Sequence, residues 1–444
     1  MCAASRQMHL GVFVLGTGNH SAGWRYDGAA TSNLDLAVTQ EIARIAERGK
    51  FDLLFISDGL TMDPGDHPSF LCRFEPTTLI SVLAATTRYI GLGATVSTSF
   101  GEPYHVARTF ASIDHISNGR AAWNVVTSTA AKAALNFSRE RHMEHDLRYE
   151  VANEFVDVVK GLWDCWDDDA IVADKATGDY IDPARVRALD HEGRFFQVKG
   201  PINIARAPQG HPVIIQAGGS PAGLELAART SDVVFSVVQE LASAKTAYAD
   251  LKGRLAKYGR SPDQLAVLPG VMPVIGATDA EAKDKLSLLQ SWLTPTNAAI
   301  LVSGRIGYDV SGHPLDGPVP APPPDGSSRT FSRVLFEAAR RQNMTLRDLY
   351  NLTAAARGHW VICGTPTHIA DILEEWFVAG AADGFNILPP YFPGAFADFV
   401  DLVVPELQRR GLFRHAYRGR TLRDHLGLPR VSAPARASEA IGAA

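Results

Sequence analysis

Short apolar runs alternate with longer amphipathic stretches along almost the whole chain. Eight of these runs are rich in β-branched residues or edged by glycine, which predicts strands. They begin at His9, Phe51, Ile90, Ala121, Pro212, Asp232, Ala266 and Gly384. The stretches between them show helical spacing, as in Leu147, Val151, Phe155, Val158 and Leu162. Apolar strands separated by helices predict a parallel α/β sheet covered by helices.

Eight such strands close more economically into a (β/α)8 TIM barrel than into an open doubly wound sheet, which stays the alternative. We predict one barrel domain over residues 1–430, with insertions near 165–211 and 291–335 and a disordered tail over 431–444. The first insertion has hairpin-like sequence. The Pro- and Gly-rich loop 310–327 is a lid candidate, and a passive surface insertion is the alternative.

Composition excludes several classes of protein. The chain has 444 residues, of which 46% are hydrophobic and 20% charged, and this is typical of a globular protein. A net charge of -5 argues against a nucleic-acid partner. Four scattered cysteines indicate reduced thiols rather than disulfides or a zinc site. Without an apolar run near ~18 residues or a signal segment, we expect a cytoplasmic protein with no membrane partner.

In a barrel, ligand-binding groups follow the carboxyl ends of the strands. Four predicted strand ends carry polar side chains: Asp58, Thr95 to Ser97, Asn124 to Thr129, and the stretch "QAGGS" over 216–220. In the last of these, the amides of Gly218 and Gly219, the Ser220 hydroxyl and the start of a helix together suit a phosphate. A tight turn that needs glycine for its backbone is the alternative.

Three further side chains are candidates by position. His145 and Tyr149 lie at i and i+4 near the start of a helix, so they share one side, offset from its apolar stripe. Two interpretations of this pair stay open: the two side chains bind a ligand, or they pack at the protein surface. His20 follows the first strand, which places it on the first loop of the mouth. His142 and His145 lack the frame of an H-E-x-x-H motif, so we predict no metal site.

The predicted mouth is polar but has little reactive chemistry of its own. Asp58 is nearly alone as a titratable group at the strand ends, which disfavours metal hydrolases, paired-carboxylate glycosidases and Schiff-base aldolases. Neither "GTG" at 16–18 nor "GLG" at 91–93 continues as G-x-G-x-x-G into a helix, so a nicotinamide dinucleotide site is not expected. We therefore expect a bound cofactor to supply the chemistry.

Several long stretches resemble the luciferase-like flavin monooxygenases, in the two-component branch that contains nitrilotriacetate and dibenzothiophene-sulfone monooxygenases. They include "HSAGWR", "AERGKFDLLFISDG", "SNGRAAWNVVTS" and "HPVIIQAGGS", and the similarity runs from about His20 to about Leu428. The resemblance implies FMN at the barrel mouth. Its flavin-contacting positions fall on Asp58, Thr95, His145, Tyr149 and Ser220, with Asn124 facing the ring. Gly219 replaces a serine that is commoner in the phosphate motif.

The same resemblance implies an FMNH2-dependent monooxygenase that oxygenates a small organic substrate with O2. A separate NAD(P)H-dependent flavin reductase would supply the FMNH2, and the protein would form a homodimer or homotetramer. Asn124 and His20 are the catalytic candidates, with His20 as a proton donor or as a stabiliser of the oxygenated flavin. A deazaflavin-dependent hydride-transfer oxidoreductase on the same barrel and a non-catalytic flavin-binding protein are the alternatives.

Overall fold

Eight parallel strands close into a barrel in the computed structural model, which describes residues 6–64, 66–321 and 330–434. The strands of the chain are β1 (His9–Val14), β2 (Leu53–Ile56), β3 (Gly91–Ser97), β4 (Ala121–Val126), β5 (His191–Glu192), β6 (Gln197–Val198), β7 (Val213–Gln216), β8 (Val233–Ser236), β9 (Ala266–Ile275), β10 (Trp360–Gly364) and β11 (Gly384–Ile387). The barrel runs β1-β2-β3-β4-β7-β8-β9-β11 and closes on β1. The predicted (β/α)8 barrel is confirmed, and the open sheet is wrong.

The helices lie mainly between successive strands and cover the outside of the barrel. They are α1 (Leu36–Arg48), α2 (Pro68–Leu71), α3 (Pro76–Thr86), α4 (Pro103–Ser117), α5 (His145–Trp163), α6 (Pro221–Thr230), α7 (Leu241–Arg254), α8 (Asp279–Ser291), α9 (Pro295–Ile306), α10 (Thr330–Arg341), α11 (Leu346–Ala356), α12 (Pro366–Val378), α13 (Gly394–Asp398), α14 (Val404–Arg409) and α15 (Leu422–His425). None of those described is long and apolar enough to cross a membrane.

Alternation along the strands separates two apolar layers. In β1, Leu10 and Val12 pack outward against the helices, whereas Phe13 packs into the barrel. The Phe13 ring lies 5.0 Å from that of Phe55, which lies 4.7 Å from that of Phe235. These rings fill the interior, so the barrel is a packed core and the site must lie at its mouth.

Strand β9 is long enough to reach beyond the barrel rim. Its first half pairs with β8, and its last five residues pair with β10, from Val271 with Trp360 to Ile275 with Gly364. Strand β10 lies outside the closed ring and was not predicted. Because Trp360 is level with Val271, residues 357–359 lie at the carboxyl-end rim, where ligands bind.

The opposite, amino-terminal end of the barrel is closed by the last helix and its flanks. Leu422 and Leu426 belong to the interior apolar cluster. Arg423 donates to Asp232 at 3.0 Å, and Arg414 donates to Asp52, which has no exposed surface. This end of the barrel is therefore sealed by apolar contacts and buried ion pairs.

Both insertions contain regular structure. The hairpin-like sequence forms the antiparallel pair β5–β6. In the second insertion, α9, α10 and α11 pack around an apolar cluster of their own. The predicted domain bounds and the lid role of 310–327 stay predictions, because 322–329 lie outside the described residues. Of the predicted tail, 435–444 also lie outside them, whereas the Val431 backbone N–H donates to Gln209.

Candidate active site

Two neighbouring strands bring Thr95 and Asn124 into contact inside the barrel. The Asn124 Nδ2 group donates to Thr95 Oγ1 at 2.8 Å, and that hydroxyl donates to the Ile56 carbonyl oxygen at 2.9 Å. These bonds fix the orientation of the amide. The Asn124 Oδ1 atom is buried and has no hydrogen-bond partner among the described residues. A buried acceptor without a protein partner is costly, so this oxygen is available to a hydrogen-bond donor from a ligand or water.

Asp58 lies two residues beyond β2, at the same end of the barrel. Its carboxylate lies 3.5 Å from Arg73 Nε, and both side chains are largely shielded from solvent. Burial raises the pKa of Asp58, while the Gly59 backbone N–H and Arg73 oppose this shift. The Arg73 guanidinium also donates to the Gly59 carbonyl oxygen at 3.1 Å, so Asp58 is held in place by the second loop.

A second group of residues meets at the start of α6. Ser220 caps this helix, and its Oγ accepts from the Gly223 N–H at 3.2 Å. A Cβ added at Gly218 would lie 3.1 Å from the Tyr149 hydroxyl, and one added at Gly223 would lie 3.0 Å from it. The Tyr149 hydroxyl therefore converges with the glycine turn and the helix start, as a phosphate site requires.

His145 begins α5 one turn before Tyr149. The two rings are 5.0 Å apart, so the two side chains lie on one side of the helix, while their role as ligand contacts stays a prediction. His145 is exposed, and its Nδ1 contacts the Asp146 carboxylate at 2.8 Å. It therefore lies at the solvent side of the group that Tyr149 and Ser220 define.

His20 is completely buried in the first loop. Its Nδ1 accepts from the Ala22 N–H at 3.1 Å, so the ring proton is on Nε2. Burial lowers the pKa of His20 to about 3, which keeps the imidazole neutral near pH 7. The Nε2 atom has no partner among the described residues. His20 can therefore donate a hydrogen bond as a neutral ring rather than a proton as an imidazolium.

Sequence reasoning missed two residues of the mouth, Arg357 and His359. Arg357 donates to Asn19 Oδ1 at 3.3 Å, and its guanidinium carbon lies 4.5 Å from the Phe13 ring centroid. His359 packs so closely on Gly270 that a Cβ there would be 2.2 Å from its Nδ1. Arg357 and His359 do not follow a barrel strand, so only the pairing of β10 with β9 could have revealed them.

His142, for which the sequence predicted no metal-binding role, has a structural role. His142 Nε2 lies 3.0 Å from the Ser128 carbonyl oxygen, and Arg148 donates to the same oxygen. Ser128 has a φ of 48°, which is uncommon for a residue with a side chain. These contacts hold the loop after β4. In the part of the chain that the structure describes, no group of three or more His, Cys, Asp or Glu side chains could hold a metal ion.

The described residues fit a phosphate-bearing flat ring. Gly218 and Gly223 leave the space beside the Tyr149 hydroxyl clear of side chains, and a dipole points from the start of α6. The buried oxygen of Asn124 supplies an acceptor on the barrel side. Groups that suit an anion and a buried hydrogen-bond acceptor at one barrel mouth are compatible with a phosphate-bearing cofactor.

Comparison with known proteins identifies the family. The chain belongs to the luciferase-like monooxygenase family, whose model matches residues 8–383. It is 48% identical over 432 residues to N-acetyl-S-(2-succino)cysteine monooxygenase of Bacillus subtilis (strain 168), covering 96% of this chain and 98% of that one. It is 46% identical over 444 residues to nitrilotriacetate monooxygenase component A of Aminobacter aminovorans, with the same two coverages.

A solved structure with a similar sequence has the same fold. Riboflavin lyase, solved with modified FMN and riboflavin, superposes with a TM-score of 0.83 at 30% identity, covering 95% of this chain and 96% of that one. The protein is therefore a luciferase-like, flavin-dependent monooxygenase that uses O2 and reduced flavin. The comparisons do not support the hydride-transfer and non-catalytic alternatives.

Proposed function

We propose that the flavin is FMN, bound with its phosphate at the start of α6 and its ring over the end of β4. The observation that carries this proposal is the convergence of the Tyr149 hydroxyl with Gly218 and Gly223. The amides of Gly218 and Gly219 and the Ser220 hydroxyl supply donors there, and His145 lines the outer side. A phosphate held in this way discriminates FMN from riboflavin.

On the barrel side, Thr95, Asn124 and Asp58 lie beside the ring in this proposal. Thr95 holds the Asn124 amide so that its Oδ1 accepts from a ring N–H group. Bound reduced flavin supplies the activation of O2. The chain's own task is to exclude water and to hold protons at defined atoms, because a reactive adduct decays when water reaches it.

His20 holds one such proton in the proposal. Its neutral ring keeps the hydrogen at Nε2 over the range of pH near neutrality, because burial opposes a second protonation. A fixed neutral donor orients a reacting oxygen without delivering a proton to it. This favours the stabilising role of His20 over its role as a proton donor.

The partners in this proposal follow the family. An NAD(P)H-dependent flavin reductase supplies FMNH2, and the enzyme works in the cytoplasm as a homodimer or homotetramer. Light scattering on the purified chain measures the oligomeric state.

The deciding experiment is a comparison of FMN with riboflavin. Quenching of flavin fluorescence by the protein, in the oxidised and reduced states, should give at least about tenfold tighter binding of FMN, because charge-assisted bonds to phosphate contribute about 1.5–3 kcal/mol. Ser220→Ala should reduce this preference. Equal affinities for the two flavins would overturn the phosphate assignment, and the absence of product with FMNH2, O2 and any substrate would overturn the assignment of FMN as cofactor.

A further inference from the structure

A cavity of about 740 Å³ lies beside the first loop of the barrel mouth, next to the segment that carries His20. Cavities that bind small molecules measure roughly 300–1,000 Å³. Its walls come from the first loop, from α2 and its flanks, and from α9 with the residues before it. Pro68 and Leu71 of α2 face the cavity, while Phe70 between them packs under Arg357 at 5.4 Å. The cavity therefore adjoins the first loop and the residues around Arg357 at the mouth.

The lining of this cavity is mostly apolar and carries no net charge. Its large side chains are Trp24, Leu34, Leu71, Trp292, Leu293 and Leu301. Among the described lining residues, Arg25 is the one cation and Asp66 the one anion. A ligand with three carboxylates would meet a single cation there, so at most one of its charges would be paired.

The Arg25 guanidinium is oriented by its neighbours and is available to bind one anionic group. Its Nη1 donates to the Trp292 carbonyl oxygen at 2.8 Å, and its guanidinium lies 5.4 Å from the Trp292 ring centroid. The next residue, Tyr26, stacks on Tyr391 at 4.1 Å, which anchors the loop. Among the described residues, no carboxylate pairs with Arg25. A guanidinium positioned by stacking loses less freedom when it binds a carboxylate.

The Asp66 carboxylate already interacts with other groups of the protein. Its Oδ1 accepts from the His67 N–H at 2.8 Å, and its carboxylate acts electrostatically on Arg73. Asp66 therefore weakens the attraction of an anion to this cavity less than an isolated carboxylate would. The cavity lining therefore favours a ligand whose single negative group lies beside Arg25.

We propose that this cavity binds the substrate, and that the substrate is a molecule with one carboxylate or comparable anionic group on a largely apolar body. The inference rests on the proposed monooxygenase function and names the substrate class. In this proposal, the substrate of this chain differs from a polycarboxylate such as nitrilotriacetate, which the name of one relative specifies.

Binding without flavin tests the proposal separately from the FMN assignment. We would titrate the full chain by calorimetry with 4-phenylbutyrate, its uncharged amide, and nitrilotriacetate. The monocarboxylate should bind about tenfold tighter than the other two, the gain expected for one charge-assisted contact. Arg25→Gln should make the acid and the amide equal, whereas Arg25→Lys should keep most of the preference. Arg108→Gln, an exposed arginine on α4, is the matched control and should change nothing.

Cys72 reports where the probe binds. It is an exposed thiol in the cavity lining, whereas Cys165 is buried. Bound 4-phenylbutyrate should slow alkylation of Cys72 by iodoacetamide at least severalfold, measured by mass spectrometry. The proposal is overturned if nitrilotriacetate binds as tightly as the monocarboxylate, if Arg25→Gln leaves the preference intact, or if Cys72 reacts equally fast with the probe present. A failure to bind FMN would leave these results standing and would instead contradict the flavin assignment.

Discussion

The Asn124 side-chain amide and the Thr95 hydroxyl form a 2.8 Å hydrogen bond across two neighbouring barrel strands. Because Thr95 also donates to the Ile56 carbonyl oxygen, the hydroxyl proton is committed and the amide orientation is fixed. The buried Oδ1 of Asn124 is the acceptor left over by this arrangement. In the proposed flavin site, this oxygen is the acceptor on the barrel side.

Replacing Asn124 should therefore weaken flavin binding. Asn124→Ala should lower the affinity for FMN by about tenfold, the effect of one lost hydrogen bond and its packing. Asn124→Asp should cost more, because its carboxylate would be buried beside a hydroxyl that cannot donate to it. Flavin fluorescence titration measures both. Asn203→Ala, at an exposed site, is the control, and affinity unchanged in all three variants would contradict the role.

Tyr149→Phe should act on the phosphate alone. The substitution removes the hydroxyl that faces Gly218 and Gly223, so the affinity for FMN should fall by about two- to tenfold while that for riboflavin stays the same. Parallel titrations with the two flavins measure this difference. Tyr89→Phe, at the opposite end of the barrel, should affect neither. A parallel loss for both flavins would place Tyr149 against the ring instead.

Gly218→Ala should block the same place sterically. The new methyl group would lie 3.0 Å from Gln216 Nε2 and 3.1 Å from the Tyr149 hydroxyl, so those groups must shift into the phosphate space. We expect at least a tenfold loss of FMN affinity with little loss of stability. Gly253→Ala is the matched control, because nothing lies within 4 Å of a Cβ there. In α7 it should stabilise the fold by about 0.5–1 kcal/mol.

Acid should destabilise the protein partly through His20. Its pKa is lowered from 6.5 to about 3, so between these values the unfolded chain binds a proton that the folded chain does not. The stability from a neutral His20 is thus present above pH 6.5 and is lost as the pH falls towards 3, by up to about 1.4 kcal/mol per pH unit.

His20→Gln should make this pH dependence shallower. Urea unfolding at pH 7 and pH 5 measures the free energy of unfolding in each variant. Part of the slope should remain, because burial also lowers the pKa of His425 to about 4. The exposed His105→Gln should keep the wild-type slope. An unchanged slope in His20→Gln would contradict the buried neutral ring.

Arg423→Leu should destabilise the closed end of the barrel. Burial raises the pKa of Asp232 and the Arg423 guanidinium lowers it, and the net value lies below its usual range. Removing Arg423 leaves a buried carboxylate unpaired, which costs about 3–5 kcal/mol. Denaturant unfolding at pH 7 measures this loss. Arg88→Ala, an exposed arginine, should change the free energy of unfolding by less than about 0.5 kcal/mol.

The barrel was predictable because each strand has its own apolar run and its own polar end. Thr95, Asn124 and Ser220 follow directly from this rule, since the carboxyl ends of parallel strands meet at one face. Strand β10 was not predicted from the sequence, because Trp360–Gly364 follows an insertion. It pairs with an extension of β9 and not with the closed barrel.

The remaining site residues depend on packing that sequence spacing does not encode. Arg357 reaches the mouth only because β10 positions the residues before it, and its partners Asn19 and Phe13 are far away in the chain. The cavity beside Arg25 likewise joins α2 to the residues before α9, which are more than 200 positions apart. No local pattern links such segments.

Closure of the barrel floor by Leu422 and Arg423 has a consequence for biosynthesis. Those residues are translated after all eight barrel strands, so we expect the barrel floor of a nascent chain to stay uncovered until they leave the ribosome. Ribosome-stalled chains ending before Leu422 should therefore be protease-sensitive at the strand starts.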